Sequence, residues 1–351
     1  MSGVRAVLLG LAGGVLPALR GQSVEILNVS YDPTRELYRQ FNAAFAEHWK
    51  ATTGQTVRVQ QSHGGSAAQA RAVIDGLEAD VVTLALSADV DAIADHAGLL
   101  PAAWRERLPH RSAPYSSTLA FLVRRGNPKG IRTWSDLARA DVQVITPNPK
   151  TSGVARWNYL SLWGFALRQE LGPEVVKKLK DAAQAEAVAA AQEKARAFTA
   201  AVFANVPVLD SGARGATNTF IQRQMGDVLI TWENEALLGS RDLDAAGVQI
   251  VVPPLAIRTE PVVAVVDRNV DRRGTRAVAQ AYLEYLYSPT GQELAARHYY
   301  RPVDADVARR YARQFPALEL FTIDEMFGGW AQANRDHFDD GASFDRIYRP
   351  R

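Results

Sequence analysis

Apolar strand patterns alternate with helical patterns along this chain, and this alternation constrains the fold more than any other feature of the sequence. Runs rich in β-branched residues at Val24–Val29 and Asp80–Leu86 are typical of buried strands. Between them, Ala70, Val73 and Leu77 recur at the 3.6-residue period of one apolar helix face. Strands that alternate with helices predict an α/β fold with a largely parallel sheet. In such sheets, ligands bind beyond the carboxyl ends of the strands, where the following helices begin.

Small-residue turns separate a predicted strand from a predicted helix at three places, Gly64-Gly65-Ser66, Ser152-Gly153 and Gly212-Ala213. The first N–H groups of a helix have no partner within the helix, and the helix start carries roughly half a positive charge. Lys and Arg are absent from the turn tips, although Arg156 and Arg214 lie just beyond them. We therefore expect the turns to hold a small ionised oxyanion with neutral donors. A single such turn could equally be a tight turn that only caps its helix.

Missing motifs and the composition of the chain exclude several classes of ligand, metal site and catalysis. A nucleotide-binding loop would need a Lys-Ser or Lys-Thr pair after its glycines, which Gly64-Gly65-Ser66 lacks. The 40 basic and 38 acidic residues are interspersed and give a formal net charge of +2, which argues against a nucleic-acid partner. The chain has no cysteine, which excludes disulfides, thiolate metal sites and cysteine catalysis. Its 6 histidines include no H-x-x-x-H pair, so we predict neither a metal nor a cofactor.

The length of 351 residues predicts two domains, because single cores rarely grow beyond ~250–300 residues. Residues 1–23 have a short positive start at Arg5 and an apolar run from Ala6 to Leu19, which is typical of a secretory signal peptide. That run is shorter than the roughly 20 residues that a membrane-spanning helix needs. We therefore predict export as a soluble periplasmic protein. Arg20 makes a poor cleavage site, and a buried helix or a misassigned start is the alternative.

Longer motifs run through the whole chain: NVSYDPTRELY (28–38), QSHGGS (61–66), ITPNPKTSG (145–153), ARWNYL (155–160), LDSGARGATNTF (209–220), WENEALL (232–238) and FTIDEMFGGW (321–330). In sequence and order they resemble the periplasmic sulfate-binding proteins of bacterial sulfate ABC transporters. The resemblance extends from about Glu25 to Tyr348.

The resemblance implies a type II periplasmic-binding-protein fold, in which two α/β lobes are joined by a hinge with the ligand cleft between them. We expect lobe 1 to comprise 24–113 and 252–351, and lobe 2 to comprise 114–251. In the family, one dehydrated sulfate is held by backbone amides, two serine hydroxyls and one tryptophan indole. Carried over by motif, the expected donors are the amide and hydroxyl of Ser66, the hydroxyl of Ser152, the amides of Gly153, Val154 and Ala213, and the indole of Trp232. Asp32, Arg156 and Arg214 are expected to form a polar shell around them.

The chain departs from the family pattern in two places. The family turn usually reads Ser-Gly-Gly, but here it is Ser152-Gly153-Val154. Valine still has an amide donor but does not tolerate a positive φ, so ordinary helical geometry is expected there. The alanine-rich stretch within Leu171–Ala204 is longer than we expect for the family, and we predict one or two exposed helices in it.

Sulfate is the expected ligand, a membrane permease is the expected partner, and a monomer is the expected state. Thiosulfate or molybdate is an alternative ligand for the same fold. A serine-dependent hydrolase is the rival class, with His63, Asp32 and either Ser62 or Ser66 as its candidate trio. No G-x-S-x-G motif supports the hydrolase, so we predict a binding protein rather than an enzyme.

Overall fold

The computed structural model describes residues 23–238 and 247–348. Its strands are β1 Ser23–Tyr31, β2 Thr56–Gly64, β3 Val81–Leu84, β4 Tyr115–Ser116, β5 Leu119–Arg124, β6 Val144–Pro147, β7 Leu209–Asp210, β8 Val228–Trp232, β9 Val248–Val251, β10 Leu255–Ile257, β11 Val262–Val265, β12 Arg301–Pro302 and β13 Glu319–Phe321. Its α-helices are α1 Arg35–Thr53, α2 Ser66–Ile74, α3 Ser87–Ala97, α4 Pro109–Ser112, α5 Gly153–Leu171, α6 Val175–Leu179, α7 Ala185–Ala204, α8 Ala213–Ile221, α9 Glu233–Leu238, α10 Asp267–Arg273, α11 Arg276–Tyr285, α12 Pro289–Arg297, α13 Ala305–Tyr311, α14 Ile323–Phe327, α15 Trp330–Ala333 and α16 Ser343–Ile347. Short 3₁₀ helices occupy Asp32–Thr34, Ala102–Glu106, Trp134–Ala138, Ala182–Gln184 and Ala312–Gln314, and a π-helix occupies Asn334–Phe338. The predicted signal peptide lies, except for Ser23, outside the described residues.

Helix α1 illustrates how the sequence pattern becomes packing. One face of this helix carries four fully buried residues, Leu37, Tyr38, Phe41 and Phe45. Their spacing is that of an amphipathic helix. Burial of side chains of this size contributes about 1.5–3 kcal/mol each. Gly54 follows the helix with φ at 76°, the left-handed conformation that commonly ends a helix.

The first lobe is built on a four-stranded sheet in the order β11-β3-β1-β2. Strand β1 runs parallel to β2 and β3, whereas β11 is antiparallel to β3. The predicted strand Val24–Val29 is longer in the structure, because its pairing with β2 continues from Ser23 to Tyr31. Both parallel neighbours of β1 are followed by helices, α2 after β2 and α3 after β3, as the alternation predicts.

The second lobe is built on a five-stranded sheet in the order β7-β6-β8-β5-β9. Strand β6 is parallel to β7 and β8, and β5 is antiparallel to β8 and β9. Helix α5 packs against this sheet on one side and against α7 on another, so it is buried around nearly its whole circumference. Its first turn is thereby fixed relative to the sheet.

The connection between the two sheets is short and hydrogen-bonded. Ser117 forms an isolated antiparallel bridge with Thr259, where the chain leaves and re-enters the first lobe. Next to this bridge, Arg301 on β12 forms a bidentate ion pair with Glu233 at the start of α9, with both N–O distances at 2.7 Å. Glu233 is 1% exposed, so this charge pair ties the hinge to the end of β8 within the protein interior.

The C-terminal segment Glu319–Ile347, part of the stretch 252–351 predicted for the first lobe, also contacts helix α5 of the second lobe. Strand β13 pairs with β10, which in turn contacts α5. Further along, the rings of Phe338 and Phe344 meet Tyr159 of α5 with centroids 5.2 and 6.0 Å apart. The sequence carries no local signal for this return, because contacts between distant segments determine it.

The alanine-rich stretch forms the short helix α6 and the long helix α7. A stripe of buried residues on α7, including Ala191, Ala195 and Thr199, faces α5, and most of its other positions are exposed or half-buried. The prediction of one or two exposed helices is therefore confirmed. No helix within the described ranges combines the length and apolarity needed to cross a membrane.

Candidate functional site

Three helices begin at the predicted small-residue turns. Helix α2 starts at Ser66 after Gly65, α5 starts at Gly153 after Ser152, and α8 starts at Ala213 after Gly212. In each case the preceding residue has an extended backbone, and no side chain caps the helix: Gly65 and Gly212 have none, and that of Ser152 makes no capping hydrogen bond. The first amide groups of each helix therefore remain as donors, with the partial positive charge of a helix start behind them.

The three turns meet at one small cavity between the lobes. It is lined by Tyr31, Asp32, Pro33, Gly64, Gly65, Ser66, Ser152, Val154 and Ala213. The accessible volume of this cavity is only about 10 Å³. Pockets for drug-sized ligands usually measure roughly 300–1,000 Å³, so the cavity excludes ligands of that size. The prediction that turns far apart in sequence lie together is confirmed.

Gly153 brings the second lobe into direct contact with the first. A Cβ atom at this position would lie 3.1 Å from Cβ of Ser66 and 3.1 Å from Cγ of Leu86. Gly65 lies equally close to the second lobe, because a Cβ there would be 3.1 Å from the Thr151 carbonyl oxygen. Both glycines therefore permit an approach of backbones that a side chain would hinder.

Trp232 supplies a buried donor next to this cavity. It is the last residue of β8, is fully buried, and stacks at an angle on Tyr31 with ring centroids 5.4 Å apart. Among the described residues, no hydrogen-bond acceptor reaches its indole Nε1. A buried N–H left unpaired costs about 1–3 kcal/mol, so this donor is available to an acceptor in the cavity.

The structure gives the Ser66 hydroxyl a different role from the predicted one. This hydroxyl donates to the Asp89 carboxylate and accepts from the Ala85 amide, with N–O at 3.1 Å. We predicted that it would donate to the ligand, but its proton is engaged within the first lobe, which leaves the backbone amide as the donor of Ser66. The side chain of Ser152 makes no capping hydrogen bond to the start of α5.

Asp89, the partner of the Ser66 hydroxyl, is not among the site residues predicted from the sequence. Burial raises the pKa of its carboxyl, while the neighbouring Arg156 and the Ser66 hydroxyl lower it. Arg156 belongs to the predicted polar shell and is held by the Pro149 carbonyl at 3.0 Å and by Asn334 at 3.2 Å. The only signal for Asp89 was an acidic residue in the first turn of a helix, which normally only stabilises the helix start.

The other two residues of the predicted shell lie at the opposite rim. Asp32 lines the cavity and pairs with Arg35 at 3.2 Å, and Arg214 of the second lobe pairs with Glu36 of the first at 3.7 Å. Beside them, the pKa of Glu235 is raised to about 7, mainly by burial; Arg214 opposes this shift, and Glu36 and Asp32 add to it. Glu235 was also missed, since nothing in its local sequence marks it.

The hydrolase alternative requires a hydrogen bond between a nucleophile and a base. Ser66 donates to Asp89, and Ser62 donates to Oε1 of Gln69 at 3.2 Å, so neither serine donates to His63. Nδ1 of His63 is buried without a partner, and burial lowers the pKa of this imidazole, with Arg35 adding to the effect. The candidate trio is therefore not assembled, and the site offers hydrogen-bond donors rather than an activated nucleophile.

Two α/β lobes that meet over a donor-lined cavity define the class of the extracellular solute-binding proteins. The chain matches the family model described as bacterial extracellular solute-binding protein over residues 26–301. Among curated proteins it is 56% identical to the sulfate-binding protein of Salmonella typhimurium, over 94% of each chain. It is also 45% identical to the thiosulfate-binding protein of Pseudomonas aeruginosa, over 97% of this chain and 96% of that one.

Solved structures agree with the sequence matches. The sulfate-binding protein SubI of Mycobacterium tuberculosis superposes with a TM-score of 0.77 at 31% identity and covers 90% of this chain and 100% of its own. A Trichodesmium protein crystallised with iron and citrate shares the fold, with a TM-score of 0.56 at 16% identity over 92% of this chain and 99% of its own. The chain belongs to the family of bacterial sulfate-binding proteins. The curated relatives that match over most of their length are named sulfate-binding or thiosulfate-binding proteins.

Proposed function

We propose that this protein binds sulfate between its two lobes and delivers it to the permease of a membrane ABC transporter. The observation that carries the proposal is the indole N–H of Trp232, which is fully buried without a protein acceptor beside the three converging helix starts. The amides of Ser66, Gly153, Val154 and Ala213 and the hydroxyl of Ser152 would complete the set of donors. Each hydrogen bond to the anion would contribute on the order of 1.5–3 kcal/mol.

Selectivity follows from the protons that the anions carry. Sulfate has none near neutral pH and can only accept hydrogen bonds. Phosphate groups have a second pKa of about 6, so inorganic phosphate keeps at least one proton that needs an acceptor. Asp89 accepts from the Ser66 hydroxyl, and the proposed selectivity requires that Asp32, which lines the cavity and pairs with Arg35, does not face the bound anion. A phosphate proton left without an acceptor would cost roughly 1–3 kcal/mol or more.

The closed state of the two lobes would signal to the transporter that sulfate is bound. Because both lobes contribute donors, sulfate binds the closed state better than the open state and shifts the population towards it. The permease would then recognise the closed form. Residues 1–23 would direct export as a signal peptide, and the mature protein would act as a periplasmic monomer.

Isothermal titration calorimetry with sulfate, thiosulfate and phosphate tests the proposal, together with native mass spectrometry of the purified protein. We expect one retained sulfate per chain and phosphate binding weaker by orders of magnitude. Equal affinity for phosphate and sulfate, or no saturable sulfate binding, would refute it. Thiosulfate is the second candidate, because relatives at 45% and 41% identity are thiosulfate-binding proteins. Tighter binding of thiosulfate than of sulfate would establish that alternative.

A further inference from the structure

The backbone of Ala85 joins the two lobes at a point outside the proposed donor set. Ala85 follows β3 in the first lobe, and its amide donates to the Ser66 hydroxyl at 3.1 Å. Its carbonyl accepts from Nε1 of Trp157, also at 3.1 Å. The backbone of this one residue thus connects the serine at the start of α2 to a side chain of the second lobe.

Trp157 is placed to make this contact by its own lobe. It lies on α5 one turn after Gly153, is fully buried, and meets Trp330 edge to face with centroids 4.7 Å apart. Trp330 belongs to the C-terminal segment that packs on the second lobe. The ring orientation of Trp157 is therefore set by second-lobe contacts, while its single N–H donor is used across the cleft.

We propose that Trp157 is a positioning residue that holds the closed state through its hydrogen bond to Ala85, an inference that rests on the proposed sulfate binding. The bond joins two lobes that separate when the cleft opens, so it stabilises the closed state and not the open one. Separation of the lobes is what releases a bound anion. Loss of the bond therefore accelerates sulfate dissociation and leaves association nearly unchanged.

The chain offers a closely matched control in Trp134. This tryptophan is also fully buried, meets Phe121 edge to face, and donates its indole N–H to the Leu255 carbonyl at 2.7 Å. Leu255 begins β10, which packs on α5, so this bond lies within the second lobe. Replacement of either tryptophan by phenylalanine removes the same kind of bond, but only Trp157→Phe removes one between lobes.

The experiment measures sulfate association and dissociation with labelled sulfate for the wild type, Trp157→Phe and Trp134→Phe. For Trp157→Phe we expect dissociation to accelerate by roughly 5- to 100-fold, the effect of leaving one buried carbonyl unpaired in the closed state, with association within about threefold of wild type. Trp134→Phe should lower the melting temperature without changing dissociation. Equal acceleration in both variants, or a loss confined to association, would overturn the inference.

A measurement on the unmodified protein keeps the test independent of whether Trp157→Phe folds. Hydrogen exchange of the indole N–H groups is followed by NMR with and without saturating sodium sulfate. The indole of Trp157 should gain protection on sulfate addition, whereas that of Trp134 should be protected in both conditions. Equal protection of Trp157 in both would overturn the inference while wild-type sulfate binding still stands. A wild type that binds no sulfate would instead refute the proposed function.

Discussion

Replacement of Gly153 by alanine would add one methyl group at the contact between the lobes. The new Cβ would lie 3.1 Å from Cβ of Ser66, 3.1 Å from Cγ of Leu86 and 3.3 Å from Cβ of Ala85. Carbon atoms prefer a separation of about 3.5–4.0 Å, so all three contacts are too short. Two of the three neighbours are Cβ atoms, which no side-chain rotation can move away.

The cost of this substitution should appear in binding rather than in folding. Insertion of a methyl group into a packed site typically costs about 1–3 kcal/mol. Because the crowding exists only where the lobes touch, the open form escapes it. With a tenfold change for every 1.4 kcal/mol, sulfate affinity should fall by roughly 5- to 150-fold. The amide N–H of residue 153 is retained, so the loss would not reflect a missing donor.

Calorimetry gives the sulfate affinity, and thermal unfolding without sulfate gives the stability of the free protein, which should stay near that of wild type. Gly212→Ala is the control, since Gly212 lies at the start of another cleft helix, immediately before α8. A Cβ at Gly212 would meet nothing closer than Oδ2 of Asp32 at 3.7 Å. That variant should lose less than about threefold, because 3.7 Å is ordinary van der Waals contact. Wild-type affinity in Gly153→Ala, or an equal loss in both variants, would show that crowding between the lobes is not what the glycine avoids.

Two further predictions concern single side chains near the cavity. Trp232→Phe should weaken sulfate binding by roughly 10- to 150-fold in calorimetry, the equivalent of one charge-assisted hydrogen bond. The melting temperature of the sulfate-free protein should change little, because the indole N–H has no acceptor among the described residues. Unchanged affinity would show that Trp232 does not bind sulfate. Glu235 has its pKa raised by burial from 4.5 to about 7, so its protonated form stabilises the fold below pH 4.5, and this stabilisation is lost as the pH rises through 7. The melting temperature of Glu235→Gln relative to wild type should therefore increase between pH 5 and pH 8, and a difference independent of pH would contradict this environment for the carboxyl.

Much of the site could be predicted from sequence because its parts are local. A strand, a small-residue turn and a helix start are encoded within about ten residues, and α2, α5 and α8 begin at the predicted positions. The convergence of the turns follows from a general property of α/β sheets, whose ligand sites lie beyond the strand ends. The family motifs then supplied the specific donors.

The remaining features depend on contacts between distant segments. Nothing near Asp89 in the sequence indicates that its carboxylate takes the Ser66 proton, because that contact forms only when α2 and α3 pack side by side. The pKa of Glu235 likewise depends on Glu36 from the other lobe. The contacts of the C-terminal segment with α5 also join distant parts of the chain.

The return of Glu319–Ile347 to the second lobe affects the order in which the protein can fold. Because Phe338 and Phe344 complete the packing around Tyr159, a chain that has been synthesised only as far as β12 leaves aromatic surface of α5 open to solvent. The entropy of closing such a long loop must be overcome before these contacts form, which makes the step slow. Until these contacts form, the partly folded second lobe exposes this aromatic surface, which makes it susceptible to proteolysis and aggregation.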